Sequence, residues 1–162
     1  MNLNDLHLRP LKEKDAIFML EWLGDKETIK NFTFAHKNFT LTDAEEFIST
    51  SVSEDKFVFA VCGENDEYLG TVSITKRENI PMLAIALRAC ARGKGVGEFA
   101  VKSAAKKYFE QSGEKKIYLN VYEDNLAAIK LYEKCGFKKI SKIDCVNGKK
   151  RLWYCLEKQN EG

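Results

Sequence analysis

Only two of the 162 residues are proline, and no stretch is rich in Gly, Ser and Pro, so nothing in the chain reads as a linker or a low-complexity segment. It has no internal repeat, which excludes solenoids and propellers. No apolar run approaches the roughly 20 residues a membrane span requires. Met1 to Pro10 lacks the charged-then-apolar layout of a signal peptide, so the expectation is a cytoplasmic protein without membrane contact. An excess of one charge is missing too: 26 basic residues against 24 acidic ones give +2, which argues against a nucleic-acid binder. Five cysteines (Cys62, Cys90, Cys135, Cys145, Cys155) are odd in number, widely spaced and form no C-x-x-C pair, and the histidines are His7 and His36 alone. Neither a disulfide framework nor a metal site is therefore expected, and the cysteines read as small buried or half-buried apolar residues. Cys90 lies beside a glycine turn where a thiolate would be stabilised, but no neighbour supplies a base for nucleophilic use.

What is present is an ordinary globular composition, 44% hydrophobic and 31% charged, at the length of one domain. A chain of this size buries roughly two-thirds of its unfolded surface in a single core. Leu6 to Pro10 alternates as a strand, and Lys14 to Trp22 has a helical rhythm that Gly24 stops. Thr42 and Glu45 have capping-box spacing ahead of Phe47 and Ile48, which predicts a second helix from about Thr42 to Ser53. Phe57 to Cys62 and Leu69 to Thr75 read as a hairpin around the polar cluster Gly63 to Glu67, and Met82 to Ala89 as a third strand. Then come a glycine turn, an amphipathic helix from Glu98 to Gln111, a strand from Lys116 to Val121 and a helix from Asn125 to Cys135 ended by Gly136. Strands Lys138 to Ile143 and Arg151 to Glu157 close the chain around an Asn147-Gly148 turn. The order β-α-α-β-β-β-α-β-α-β-β predicts an α/β (α+β mixed) fold: one mixed, mostly antiparallel sheet of about seven strands with helices on both faces.

Arg92-Gly93-Lys94-Gly95-Val96-Gly97 sits where a central strand enters a helix. Glycines after a strand also serve tight packing. Three at alternate positions free backbone N–H groups to converge at a helix N-terminus, an arrangement suited to a pyrophosphate. Two standard phosphate motifs fail on this spacing. A P-loop needs Ser or Thr after Gly-Lys, where this chain has Gly95, and a dinucleotide fold needs G-x-G-x-x-G near the first strand.

The motif resembles the Arg/Gln-x-x-Gly-x-Gly/Ala signature of the GNAT superfamily of N-acetyltransferases. Asn125 to Phe137 resembles the family's Asn-x-x-Ala-x-x-x-Tyr-x-x-x-Gly-Phe helix and turn. The opening Arg9-Pro10-Leu11, Asp15 and Glu21-Trp22-Leu23 is similar to the branch holding ribosomal-protein alanine and spermidine acetyltransferases. The resemblance implies acetyl-CoA as cosubstrate. Its pyrophosphate would be held by Arg92 and the amides of Gly93, Lys94, Gly95, Val96 and Gly97, and its pantetheine and acetyl group by Leu87, Ala89 and Asn125. Tyr132 would donate a proton to the leaving thiolate. Seven residues is nearly two turns, so Asn125 and Tyr132 share a helix face, with Lys130, Glu133 and Lys134 turned away.

A phenol near pKa 10 facing a thiol near 8.5 is a workable donor, worth about 10²- to 10⁴-fold in rate. Deprotonating the acceptor is harder to assign, because an alkyl amine near pKa 10.4 is neutral at pH 7 in only about one molecule in a few thousand. Many family members place a glutamate in the strand before the glycine turn, and this chain has Ala84 there. His36, in the loop from Asp25 to Phe39, titrates in the right range but reads more readily as an ordinary loop residue. Phe32, Phe34, His36 and Phe39 would border the acceptor, or the aromatics among them serve only the core. Asp43, Glu45 and Glu46 either recognise a cationic amine or stabilise a helix N-terminus. The acceptor classes are a protein N-terminus, a polyamine, an amino sugar on a nucleotide and an aminoglycoside. Dimers are common among relatives. The missing glutamate keeps a second reading open, a coenzyme A-binding sensor without turnover.

Overall fold

The computed structural model describes residues 2–25, 28, 40–51 and 56–159. The chain runs through β1 (His7–Arg9), α1 (Ala16–Leu23), α2 (Leu41–Thr50), β2 (Lys56–Cys62), β3 (Tyr68–Arg77) and β4 (Ile80–Leu87). It continues through α3 (Val96–Ser112), β5 (Lys116–Tyr122), α4 (Leu126–Lys134), β6 (Lys138–Val146) and β7 (Lys149–Glu157). The element order is the expected one, and the strands form one seven-stranded sheet in the order β1-β2-β3-β4-β5-β7-β6. Every neighbouring pair is antiparallel except β4 and β5.

β4 and β5 run parallel and are bridged at Met82 and Tyr118. The other pairs zip together over long registers; β3 and β4 stay matched from Gly70–Leu87 to Arg77–Ile80. The sheet thus joins an antiparallel half, β1–β4, to a second half, β5–β7, at one narrow seam. Past the seam the two central strands part.

Helices cover both faces. On one, α1 buries Ala16, Met19, Trp22 and Leu23, and α2 buries Ala44, Phe47 and Ile48, against Val58, Ala60, Ala84 and Ala86 of the sheet. Each of the larger of these side chains contributes about 1.5–3 kcal/mol by leaving water. On the other face α3 lays down Ala100, Val101, Ala104, Ala105, Tyr108 and Phe109, and the alanines let it lie close against Val72, Ile74, Leu83, Ile117 and Leu119. α4 packs on this face through half-buried Ala128, Ile129, Leu131 and Tyr132.

Several local expectations need correction. α2 is capped by Thr40 and Asp43, two residues earlier than the Thr42/Glu45 box: the Thr40 hydroxyl accepts from the Asp43 amide (3.3 Å) and the Asp43 carboxylate from the Thr40 amide (2.8 Å). Asp43 is buried in that task, which settles its alternatives in favour of capping. The helix ends at Thr50, with Ser51 as its C-cap, three residues short of the expected Ser53; Phe32, Phe34, His36 and Phe39 lie outside the described residues. β4 stops at Leu87, and Ala89 belongs instead to a tight turn, Ala89–Ala91. Cys62, Cys135 and Cys155 are buried, whereas Cys90, in that surface turn, and Cys145, on edge strand β6, are exposed. Burial pushes the Cys62 and Cys135 thiols up to about 11.

Near β1 a charged cluster ties the N-terminus to the β2–β3 hairpin. Arg9 grips Asp15 with two bonds of 2.8 and 2.9 Å and reaches Asp66 through Nε at 2.8 Å. Asp66 also accepts from Lys14 (2.8 Å) and contacts His7 (3.1 Å). Ligand atoms of His7, Cys62 and Asp66 lie within 4.8 Å of one another, the spacing a metal ion could use. The cations around Asp66 compete for the same oxygens.

Candidate functional site

Where β4 and β5 part, a cavity of about 710 Å³ opens between them. Ala84 to Leu87 form one wall, and Asn120 and Val121 of β5 the facing one. Gly93, Gly95 and Gly97 with Arg92 and Glu98 line it from the start of α3; Asn125, Ala127, Ala128, Lys130, Leu131, Tyr132 and Lys134 line it from α4. Asp25 and Thr28, just beyond α1, complete the lining among the described residues. Since α3 and α4 lie on one sheet face and α1 on the other, the cavity passes through the sheet.

The glycines have different tasks. Gly93 and Gly95 adopt φ of 72° and 84°, a left-handed backbone that a side chain would strain. Gly95 is the N-cap of α3, and no side chain caps that end, so the first amides of a 17-residue helix are offered beside the cavity. Gly97 is ordinary helix. A Cβ there would come within 3.1 Å of Leu131 and 3.5 Å of Leu87, so its hydrogen lets α3, α4 and the end of β4 meet.

Positive charge surrounds this end. Arg92, Lys130 and Lys134 line the cavity with a single acid on that side, Glu98, which pairs with Lys102 at 2.8 Å and Lys134 at 3.2 Å. Hydrogen bonds from Lys102 and then Lys134 lower the Glu98 pKa from its ordinary value. Lys130 and Lys134 were expected to turn away. Long flexible stems bring them to the cavity from the flank of α4.

Asn125 caps α4, its side-chain oxygen accepting from the Ala128 amide at 3.2 Å. Tyr132 lies on the same side, half-buried, its ring edge-on to Phe137 with centroids 6.0 Å apart. Of the sequence-derived site residues, Leu87, Arg92, Gly93, Gly95, Gly97, Asn125 and Tyr132 meet in the cavity. Ala89, Lys94 and Val96 are not in its lining: Ala89 sits in the turn after β4, Lys94 is exposed, and the Val96 side chain is fully buried in the core. Glu45 and Glu46 on α2 are absent from it, Asn120 was not anticipated, and Asp25 and Thr28 come from the loop expected to border the acceptor without having been singled out there. Asn120 carried a signal, an amide in an otherwise apolar strand run; Asp25 depended on tertiary placement.

The arrangement suits an elongated anionic ligand. The small side chains of Ala84 and Ala86, the open space beside Gly93 and the uncapped helix end leave room for phosphates, and three cationic side chains stand beside them.

Comparison with known proteins agrees. Residues 5–138 match the family model described as acetyltransferase (GNAT) domain. The spermine/spermidine N(1)-acetyltransferase of Bacillus subtilis is 37% identical over 59 residues, which is 36% of this chain and 38% of that protein; the match thus spans well under half of the relative's length. Among solved structures, spermidine N-acetyltransferase from Vibrio cholerae in complex with CoA and spermine superposes with a TM-score of 0.78 at 20% identity, covering 95% of this chain and 96% of that one. The ribosomal-protein-S5-alanine acetyltransferase of Vibrio fischeri gives 0.76 at 18% identity, covering 97% and 95%.

Proposed function

Given that the chain belongs to the GNAT acetyltransferase family, we propose that it transfers the acetyl group of acetyl-CoA to a primary amine of a small polyamine, with Tyr132 as proton donor. The observation that carries this reading is the cavity between β4 and β5, which gathers the glycine turn, Asn125 and Tyr132 in one space. The amides at the start of α3, with Arg92, Lys130 and Lys134, would receive the phosphates, and the parted strands the extended arm that carries the thioester. A neutral amine attacks the thioester carbonyl, the C–S bond breaks, and the thiolate takes its proton from the Tyr132 phenol, while the proton lost by the amine passes to water and water in turn reprotonates Tyr132. The spermine/spermidine acetyltransferase among its relatives supports a polyamine as acceptor. The dodecameric Vibrio cholerae spermidine enzyme supports assembly of several copies.

The test is thiol release from acetyl-CoA across a panel of amines, with mass spectrometry to find the amine that gains one acetyl group. Polyamines are expected to be the acceptors, and Tyr132→Phe to slow release at least tenfold. Unchanged turnover in that variant would remove Tyr132 from the mechanism, and coenzyme A binding without acetylation of any amine would leave a sensor.

A further inference from the structure

We infer that Asp25, held by Thr28, is the anion that grips a non-reacting ammonium of the acceptor, so that the site selects amines carrying at least two charges; this rests on the acetyltransferase reading. The cavity passes through the sheet, and its two faces differ in charge. On the α3 and α4 side stand Arg92, Lys130 and Lys134, with Glu98 engaged by Lys102 and Lys134. On the α1 side, where Ala84 and Ala86 point, the lining carries Asp25 and Thr28. Among the described residues Asp25 and Glu98 are the only carboxylates of the lining, and of the two Asp25 alone stands on the face away from the phosphate-binding cations. β4 contributes no charge there, since Ala84 brings only a methyl group.

Asp25 is held in place from several directions. The Thr28 hydroxyl donates to its Oδ2 at 2.7 Å. Its amide donates to the Trp22 carbonyl at 3.1 Å, tying it to the last turn of α1. That turn is pinned to the sheet. The Trp22 indole donates to the Tyr68 hydroxyl at 3.0 Å, and that hydroxyl meets Thr71 at 2.6 Å, all buried. Arg88, at the exit of β4, donates to Glu21 at 2.9 Å while its guanidinium lies 4.6 Å from the centroid of the Phe18 ring. A carboxylate fixed by its support can define where an ammonium sits, because little ordering remains for binding to impose.

Physical chemistry decides which ammonium it holds. A carboxylate beside the reacting nitrogen would favour its protonated form and oppose attack, whereas a carboxylate beside a second nitrogen favours the charge that nitrogen keeps. The ligand class is therefore a di- or polyamine, anchored at one nitrogen and acetylated at another.

The test compares spermine with hexylamine, a monoamine, in steady-state thiol release, together with calorimetric binding of spermine to the coenzyme A-loaded protein. Asp25→Asn is expected to raise KM for spermine at least tenfold with kcat within about twofold, to weaken spermine binding by a similar factor, and to leave KM for hexylamine unchanged. Asp25→Glu should recover part of the loss, and Thr28→Val should cause a smaller one. An unchanged KM and affinity for spermine in Asp25→Asn would overturn the inference. So would an equal loss of kcat with both amines, which would put Asp25 on the reacting nitrogen. If spermine binding depends on Asp25 while neither amine is acetylated, the transferase reading fails and the anchor stands.

Discussion

Arg9 shows how a single side chain organises a corner of the molecule. Almost buried, it holds Asp15, itself 1% exposed, through both terminal nitrogens and Asp66 through Nε. Hydrogen bonds from Lys14, then Arg9, then His7 keep the Asp66 carboxyl well below the usual carboxylate range. A depressed carboxylate pKa contributes stability that is fully present above the unfolded value of about 3.9 and is lost as pH falls from there toward the folded value. The urea midpoint of Asp66→Asn is therefore expected to lie below that of the unaltered protein at pH 6, with the gap narrowing by pH 3. A gap of equal size at both pH values would show that ionisation of Asp66 contributes nothing. The same residue illustrates what a sequence conceals: Arg9 and Asp15 stood out as a resemblance, yet their partner Asp66, in the hairpin between β2 and β3, read only as part of a polar turn.

At the scale of elements, close approach explains two glycines, and substitution separates them. A Cβ at Gly97 would press on the ends of Leu131 and Leu87, which can shift, so Gly97→Ala should cost about 1–3 kcal/mol and loosen coenzyme binding by moving α3 from α4. A Cβ at Gly70 would overlap the Ala86 carbonyl oxygen and Leu87, and backbone in mid-sheet yields less readily. Gly70→Ala is expected to lose more stability than Gly97→Ala in thermal melts, with Gly24→Ala, where a Cβ meets nothing within 4 Å, close to unaltered. A reversed order would mean that the end of β4 is softer than its pairing implies. Element types and order were legible because their signals are local: alternation in β2 and β3, the apolar stripe of α3, the Asn147-Gly148 turn. Boundaries were not. Thr40/Asp43 and Thr42/Glu45 both have capping spacing, and the apolar residues that follow suit either start. The β3–β4 turn, Glu78 and Asn79 at φ of 51° and 66°, has no glycine to announce it. The glycine motif disclosed a turn but not that Gly97 serves packing while Gly93 and Gly95 serve conformation. Asp25 was legible only as the start of the loop expected to border the acceptor, because nothing local distinguishes a carboxylate after a helix from one that a cavity will reach.

For the molecule as a whole, the seam at Met82 and Tyr118 is the controlling feature. A ligand that contacts both walls of the cleft and binds only the folded state stabilises by about 2.7 kcal/mol at one hundred times its dissociation constant. For a chain of this size that raises the melting temperature by roughly 5–11 °C. Coenzyme A at that excess is expected to produce such a shift in scanning fluorimetry, and no shift would argue against binding in the cleft. The seam also divides the chain in time. Three of its four first strands join through sequential hairpins, so most of that half needs only short loops to close, and it is complete in the chain before β5 begins. The second half must wait, because β5 pairs with β7 across α4 and β6, and the bridge to β4 reaches over the whole of α3. The chamber between the strands is thus closed only after β7 has been made and has taken up β5, its far wall.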